Sequence, residues 1–145
     1  MELTRSSYKS HWLSDIEIPL ANKFYRMHGF RGKAKRYEDC AVVRNEKGEV
    51  VACGYLRRYE TFKLLSGVAV APQHQGRGVA RRLLELLAEK FDRDTYTFPY
   101  EHLRLFYESI GFHLIESGQL GEPVARLYQN YRNQGRTILV MGFQG

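Results

Sequence analysis

Apolar residues recur every three to four positions in four stretches of the chain, which is the spacing of an amphipathic helix. In the clearest stretch Leu83, Leu84 and Leu87 form one face, and arginines and glutamates occupy the other. Gly29 and Gly111 follow two of the stretches, at positions where helices commonly end. The pattern predicts helices over Ile18–His28, 78–91, 100–109 and Val124–Asn133.

Shorter apolar runs bounded by proline, glycine and polar residues are typical of strands. Residues 64–70 are nearly all apolar, which indicates a central strand covered on both faces, and Pro72 ends it. Strands are predicted over 40–44, 49–56, 61–71, 95–98, 112–115 and 137–141. An antiparallel start followed by alternating strands and helices predicts an α/β or α+β fold around one mixed sheet.

The first two predicted strands are joined by residues 45–48, a four-residue hairpin loop. Pairing Arg44 with Glu49 would place Cys40 directly opposite Cys53. A disulfide between opposed strand residues would be strained, and two cysteines do not make a disulfide framework. Because the expected compartment is reducing, we expect two free thiols.

A chain of 145 residues is long enough for one domain with its own core, so a single domain over residues 1–145 is expected. Hydrophobic residues at 43% and charged residues at 26% are typical of a soluble globular protein. No apolar run reaches the roughly 18 residues of a membrane span, and no apolar leader is seen at the start, so a cytoplasmic location is expected. The net charge of +6 suits an anionic cofactor, an anionic substrate or nucleic acid.

Residues 68–80 run from a strand through a glycine-rich turn into a helix. Gly76 and Gly78 allow a sharp turn and a close approach of a ligand to the backbone. The unpaired N–H groups and the dipole of the helix favour a phosphate there, and Arg77 and Arg81 add positive charge. A P-loop would need Lys-Ser/Thr after the second glycine, and a dinucleotide fold would need three glycines, so neither fits. A tight strand–helix connection without a ligand is the structural alternative.

This segment resembles the signature of the GNAT superfamily of N-acyltransferases, Gln/Arg-x-x-Gly-x-Gly/Ala, through Gln75, Gly78 and Ala80. The resemblance implies a GNAT-like fold with a mostly antiparallel sheet, and acetyl-CoA as cosubstrate. It also implies that the turn holds the CoA pyrophosphate and that the strand follows the pantetheine arm, with the Val68 N–H able to polarise the thioester carbonyl. The cofactor-binding residues implied on the strand, turn and helix are Val68, Ala69, Val70, Gln75, Gly76, Arg77, Gly78, Val79, Ala80 and Arg81.

A second motif lies at residues 103–112, a predicted short helix leading into a strand. It resembles the GNAT pattern Phe/Leu-Tyr-x-x-x-Gly-Phe through Tyr107, Gly111 and Phe112. The resemblance implies that Tyr107 is the general acid for the leaving CoA thiolate, because the pKa of a phenol, about 10, exceeds that of a thiol, about 8.5.

Two details of this motif bear on the pantetheine arm. Phe106 is assigned to the cofactor site, with core packing as the alternative. Tyr100 and Leu103 stand where the family often has Asn and Ala, which removes one contact to the pantetheine.

The expected reaction is transfer of the acetyl group of acetyl-CoA to a primary amine by direct attack, without a metal or a covalent enzyme intermediate. Glu60, Glu101 and His102 lie where a general base could sit, although each also fits a surface residue. The four cations of residues 31–36 either receive an acidic acceptor or form a solvated loop.

Other functions remain as alternatives. A non-catalytic acyl-CoA-binding sensor on the same fold is the second hypothesis. No nucleic-acid-binding signature is found, so neither nucleic acid nor a membrane is an expected partner. The expected acceptor is a small-molecule, peptide or protein amine, and the expected state is a monomer or a homodimer.

Overall fold

The computed structural model describes residues 7–145. Residues 1–6, part of the stretch in which the sequence shows no apolar leader, lie outside that range. The chain divides into two compact units. The first contains the chain up to Arg57 together with Ser66–Lys90, and the second contains Arg58–Leu65 and Phe91–Gly145.

Seven strands and four helices are present in the described range, with short 3-10 turns between some of them. The strands are β1 (Lys9–Trp12), β2 (Asp39–Arg44), β3 (Val50–Arg58), β4 (Lys63–Val70), β5 (Thr95–Thr97), β6 (Phe112–Leu114) and β7 (Met141–Phe143). The helices are α1 (Ile18–His28), α2 (Val79–Leu87), α3 (Arg104–Ile110) and α4 (Val124–Asn133).

The strands form one sheet in the order β1-β2-β3-β4-β5-β7-β6. The pairs β1–β2, β2–β3, β5–β7 and β6–β7 are antiparallel, and β4–β5 is parallel. The predicted mixed, mostly antiparallel sheet with flanking helices is confirmed, and β4 is central in the strand order as its apolar run predicted.

Two strands differ from the sequence prediction. β1 was not predicted, because its four residues Lys-Ser-His-Trp are mainly polar and form the edge of the sheet. The last strand begins at Met141 rather than at 137. Ile138 forms only an isolated bridge with Tyr100, and the neighbouring Pro99 has no N–H to extend that ladder.

Residues 45–49 connect β2 to β3, one residue more than predicted. The Asn45 N–H donates to the Glu49 carbonyl over 3.0 Å, so these two residues face each other across the hairpin. The Asn45 side-chain oxygen accepts hydrogen bonds from the N–H groups of Lys47 and Glu49. Such a side-chain turn is a common role of asparagine, and here it shifts the hairpin register by one residue.

A bulge beside Arg44 shifts the register once more. Cys40 therefore lies opposite Tyr55, and Cys53 lies opposite Val42. The strand register that would place Cys40 opposite Cys53 is therefore not formed, and both cysteines are free, as expected, and buried. Burial raises the pKa of the Cys40 thiol to about 12 and also raises that of Cys53, so neither is a reactive thiolate.

In the first unit, helices cover both faces of the β2–β3 pair. Tyr25 and other buried residues of α1 pack with Cys53 and Tyr55 in one apolar cluster. The neighbouring Gly54 faces the other way, and a Cβ there would lie 3.0 Å from Leu87 of α2. The glycine therefore allows α2 to pack closely against the strand.

In the second unit, aromatic side chains form much of the core. Phe62 and Leu64 pack with Val124 of α4, and Tyr128 of α4 packs with Ile138 and neighbouring residues. Elsewhere in the unit Phe112 contacts Phe91, Tyr107 and Phe143 edge to face. Within residues 7–145 no helix is long and apolar enough to cross a membrane.

Candidate acyl-CoA site

The turn at residues 75–78, here called the glycine turn, is open on its outer side. Gly76 and Gly78 have φ angles of 77° and 78°, which side-chain-bearing residues rarely adopt. A Cβ at either position would meet no atom within 4 Å. The glycines are therefore needed for the backbone conformation, and the space beside them is free for a ligand.

Helix α2 begins directly after the turn, with Gly78 as its N-cap. The first main-chain bond of the helix runs from the Arg82 N–H to the Gly78 carbonyl, so the N–H groups of the first turn have no partner within the helix. The first turn carries no acidic residue. Its amides and the positive end of the dipole suit an anion.

The glycine turn is tied to the end of β4 through Gln75. The Gln75 side-chain amide donates to the Val70 carbonyl over 3.1 Å. The Gln75 N–H points back to the Pro72 carbonyl at 3.4 Å. The side chain of Gln75 thus fixes where the strand ends relative to the turn.

The end of β4 is less covered than its place in the sheet suggests. Residues 66–70 are all partly exposed, whereas Leu64 and Leu65 are buried. Within the described range, pairing with β5 covers only Lys63 to Leu65. The Ala71 N–H donates to Val51 on β3, so the alternation of a strand directs the main-chain groups of Val68 and Val70 away from β3.

Two buried tyrosines meet the backbone at Gly67, just before Val68. Gly67 has a φ of 65°, and an added Cβ would overlap the Tyr55 ring and lie 2.7 Å from the Tyr25 hydroxyl. The Tyr25 hydroxyl donates to the Gly67 carbonyl over 2.6 Å. Burial raises the pKa of Tyr25 well above its usual value, so the phenol keeps the proton that it donates.

A third tyrosine, Tyr8, holds the arginine of the glycine turn. The Arg77 guanidinium donates to the Tyr8 hydroxyl over 3.3 Å, and that hydroxyl lies 2.8 Å from Nδ1 of His74. The rings of Tyr8 and His74 also meet edge to face. Arg77 is therefore held by Tyr8, which is itself bonded to His74.

Tyr107 and Phe106 lie on α3, in the second unit. Tyr107 is buried and contacts the rings of Phe106 and Phe112 edge to face. Burial raises the pKa of the Tyr107 phenol above its usual value, so the phenol is protonated at neutral pH. Phe106 is only partly buried, which leaves part of its ring open to a ligand.

The three candidate bases, Glu60, Glu101 and His102, are all exposed. Their placement identifies none of them as a general base. Within residues 7–145 no cluster of three or more His, Cys, Asp or Glu side chains could hold a metal ion.

A separate cavity of about 330 Å³ lies in the first unit. Its lining includes Phe24 and Met27 of α1, together with Val51, Ala71 and His74. Neither the glycine turn nor Val68 lines this cavity.

A known family covers the segment that contains both motifs. The family described as acetyltransferase (GNAT) domain matches residues 36–114, more than half of the 145-residue chain. The chain belongs to the GNAT acetyltransferase family.

Solved structures share the fold at low identity. N-acetylglutamate synthase from Neisseria gonorrhoeae, solved with coenzyme A and N-acetyl-glutamate, is 19% identical with a TM-score of 0.65, and the match covers 92% of this chain and 34% of that chain. This chain thus spans about a third of the length of that enzyme.

Two further structures match over nearly their whole length. Rv2747 from Mycobacterium tuberculosis, solved with CoA, is 16% identical with a TM-score of 0.66, covering 94% of this chain and 99% of that chain. The ribosomal-protein-S18-alanine N-acetyltransferase from Escherichia coli is 17% identical with a TM-score of 0.65, covering 94% and 92%. No curated protein matches the sequence.

The contact between Tyr25 and Gly67 predicts a specific effect on acetyl transfer by this GNAT protein. Replacing Tyr25 by Phe removes one partly buried hydrogen bond, so the free energy of unfolding should fall by about 1 kcal/mol. We expect kcat to fall by about 10-fold as well, because the Val68 N–H, the expected oxyanion donor, would be held less firmly. Loss of a whole oxyanion donor costs about 10²–10³-fold, so a partial loss of positioning should cost less.

Tyr128→Phe is the matched control, since the Tyr128 hydroxyl also donates to a main-chain carbonyl, that of Ile138, over 2.8 Å. It should lose similar stability while keeping its kcat. Equal kcat values for the two variants would show that the Tyr25 contact is structural only.

Proposed function

We propose that this protein transfers the acetyl group of acetyl-CoA to a primary amine by direct attack of the amine on the thioester. The observation that carries the proposal is the glycine turn, which opens onto solvent between the partly exposed end of β4 and the N-terminus of α2. Such an arrangement places amides, a helix dipole and an exposed strand edge next to one another, as a long anionic thioester requires.

The glycine turn and the first turn of α2 bind the pyrophosphate. The N–H groups of residues 76–81 supply hydrogen bonds, with Val79 and Ala80 at the helix start. The guanidinium of Arg77, held by Tyr8, supplies a charge-assisted contact. The residues present fit a diphosphate, because the glycines leave room for it and no acidic side chain lies in the first turn of α2.

The end of β4 binds the pantetheine arm and the thioester. Val68, Ala69 and Val70 present a partly exposed strand edge to which an amide-bearing chain can hydrogen-bond. The Val68 N–H stabilises the negative charge that develops on the thioester oxygen. Tyr25 and Tyr55 keep this amide in position through Gly67.

The acceptor amine attacks as the neutral base, so its proton must first leave to a general base or to a water chain. Glu60, Glu101 and His102 are exposed groups that could take it. As the N–C bond forms and the C–S bond breaks, the phenol of Tyr107 gives its proton to the leaving thiolate. Phe106 packs against the pantetheine beside it.

The proposed acceptor is a small-molecule, peptide or protein amine. Two similar folds illustrate that range, since one is N-acetylglutamate synthase and another is a ribosomal-protein-S18-alanine N-acetyltransferase. We place the protein in the cytoplasm, as a monomer or a homodimer, without a nucleic-acid or membrane partner. A non-catalytic acyl-CoA sensor would bind the same ligand and acetylate no amine.

Substitution of Gly78 by Glu tests the pyrophosphate site. The carboxylate would project into the proposed anion site, so acetyl-CoA affinity measured by calorimetry should fall at least about 100-fold. Gly48→Glu is the control, because Gly48 has a φ of 80° and its added Cβ also meets no atom within 4 Å. Both variants bear the same backbone strain, of about 1–2 kcal/mol.

The control should bind acetyl-CoA as the wild type does, and thermal unfolding should show that both variants are folded. Wild-type affinity in the Gly78 variant, or no binding by the wild type, would contradict the proposed site. Binding without turnover of any amine would favour the sensor.

Replacement of Tyr107 by Phe tests the general acid. We expect kcat to fall by about 10²-fold with acetyl-CoA affinity unchanged, since the ring remains and only the proton donor is lost. In the wild type the raised pKa of Tyr107 keeps the phenol protonated, so activity should not decline up to about pH 10 through loss of this proton. An unchanged kcat in the variant would remove Tyr107 from the chemistry.

A further inference from the structure

Residues 30–37, here called the basic loop, connect α1 to β2 and carry four exposed cations, Arg31, Lys33, Lys35 and Arg36. The loop also contains Tyr37, which is 73% exposed and has a φ of 73°, rare for a residue with a side chain. Backbone strain of this kind clusters at active sites, ligand clamps and switch regions.

The backbone of the basic loop is fixed at its centre, although its charges are exposed. The Asn22 side chain bonds both the N–H and the carbonyl of Ala34, at 2.8 and 2.9 Å. The Lys33 N–H donates to the Tyr55 hydroxyl over 3.1 Å, and Arg57 donates to the Lys33 carbonyl over 2.7 Å. Four hydrogen bonds from three side chains, one on α1 and two on β3, thus hold two successive residues of the loop.

The same loop contacts the two tyrosines that lie against Gly67. A Cβ added to Gly32 would lie 2.5 Å from the Tyr25 ring, so the loop backbone rests on that ring. Lys33 is bonded to the hydroxyl of Tyr55, whose ring touches Gly67. Only one layer of aromatic side chains therefore separates the basic loop from the strand at Val68.

Within residues 7–145 the positive side chains of the loop form no ion pairs. Glu38, the carboxylate next to the loop, is paired with Arg57 at 2.7 Å and also accepts the Lys35 N–H. In the part of the chain that the structure describes, no ion pair joins a carboxylate to Arg31, Lys33, Lys35 or Arg36. The four charges are available to an anion from outside.

We propose that the basic loop is the acceptor subsite and that it selects an amine bearing an anionic group, a carboxylate or a phosphate. The inference rests on the proposed function, because it uses the thioester position at Val68. A loop whose backbone is fixed one side-chain layer from that position, with four uncompensated cations, favours an anionic acceptor over a neutral one.

The test compares acceptors in isosteric pairs that differ in charge. Glutamate with glutamine, aspartate with asparagine and O-phosphoserine with serine serve as small amines, and short peptides beginning with the same residues serve as peptide amines. We expect the active enzyme to show kcat/KM at least about 10-fold higher for the acidic member of a pair, a ratio that falls as salt rises. The acceptor pair with the largest kcat/KM ratio also shows whether the enzyme prefers a carboxylate or a phosphate, and a free amino acid or a peptide.

Two double variants test whether the basic loop causes the preference for acidic acceptors. Lys33→Gln combined with Lys35→Gln should lower kcat/KM for the acidic acceptor by about 10-fold, through KM, and leave the neutral acceptor within about twofold. Lys47→Gln combined with Arg93→Gln removes the same charge at two exposed positions outside the loop, and should change neither.

The outcomes distinguish this inference from the proposed function. A wild type that fails to bind acetyl-CoA would overturn both. An enzyme that binds acetyl-CoA but uses neutral members as well as acidic ones, or uses no acidic member, would overturn the inference alone. Equal effects of the two double variants would also overturn it, because net charge rather than the loop would then set the preference.

Discussion

At Gly67 two buried tyrosine rings occupy the space that a side chain would need, and the geometry of the first unit's candidate site depends on this contact. Tyr25 comes from α1 and Tyr55 from β3, so the contact joins helix, hairpin and central strand. The two tyrosines hold the backbone immediately before Val68. They also contact the basic loop, where Gly32 lies against the Tyr25 ring and the Lys33 N–H donates to the Tyr55 hydroxyl. The bond from the Tyr25 hydroxyl to the Gly67 carbonyl holds the backbone beside the proposed thioester position, and the Tyr25 ring and the Tyr55 hydroxyl contact the proposed acceptor side.

Local signals predicted the fold well where they act over a few residues. The bounds of α1 and α4 were predicted correctly because apolar stripes and helix-ending residues mark them. The hairpin register was wrong, because the side-chain turn at Asn45 and the bulge each moved it by one residue. β1 was missed because a short polar edge strand has no apolar run to reveal it.

In the candidate site too, features encoded by neighbouring residues could be predicted and long-range contacts could not. The glycine turn could be predicted, since its spacing is local and its resemblance to GNAT proteins is specific. The contacts that hold it could not, because Tyr25 and Gly67 are 42 positions apart and Tyr8 and Arg77 are 69 apart. The sequence around a tyrosine does not indicate which distant carbonyl its hydroxyl will bond. Which residues contact acetyl-CoA stays a prediction.

The central claim is that the glycine turn binds the pyrophosphate of acetyl-CoA, and amide NMR during a titration with acetyl-CoA tests it most directly. The account predicts that the largest shifts fall on the N–H groups of residues 76–81 and on Val68, while Gly48, a glycine of similar φ in the β2–β3 loop, stays unchanged. Saturable binding with the largest shifts elsewhere, for example around the cavity lined by Phe24 and Met27, would contradict the account. So would the absence of any shift at saturating ligand.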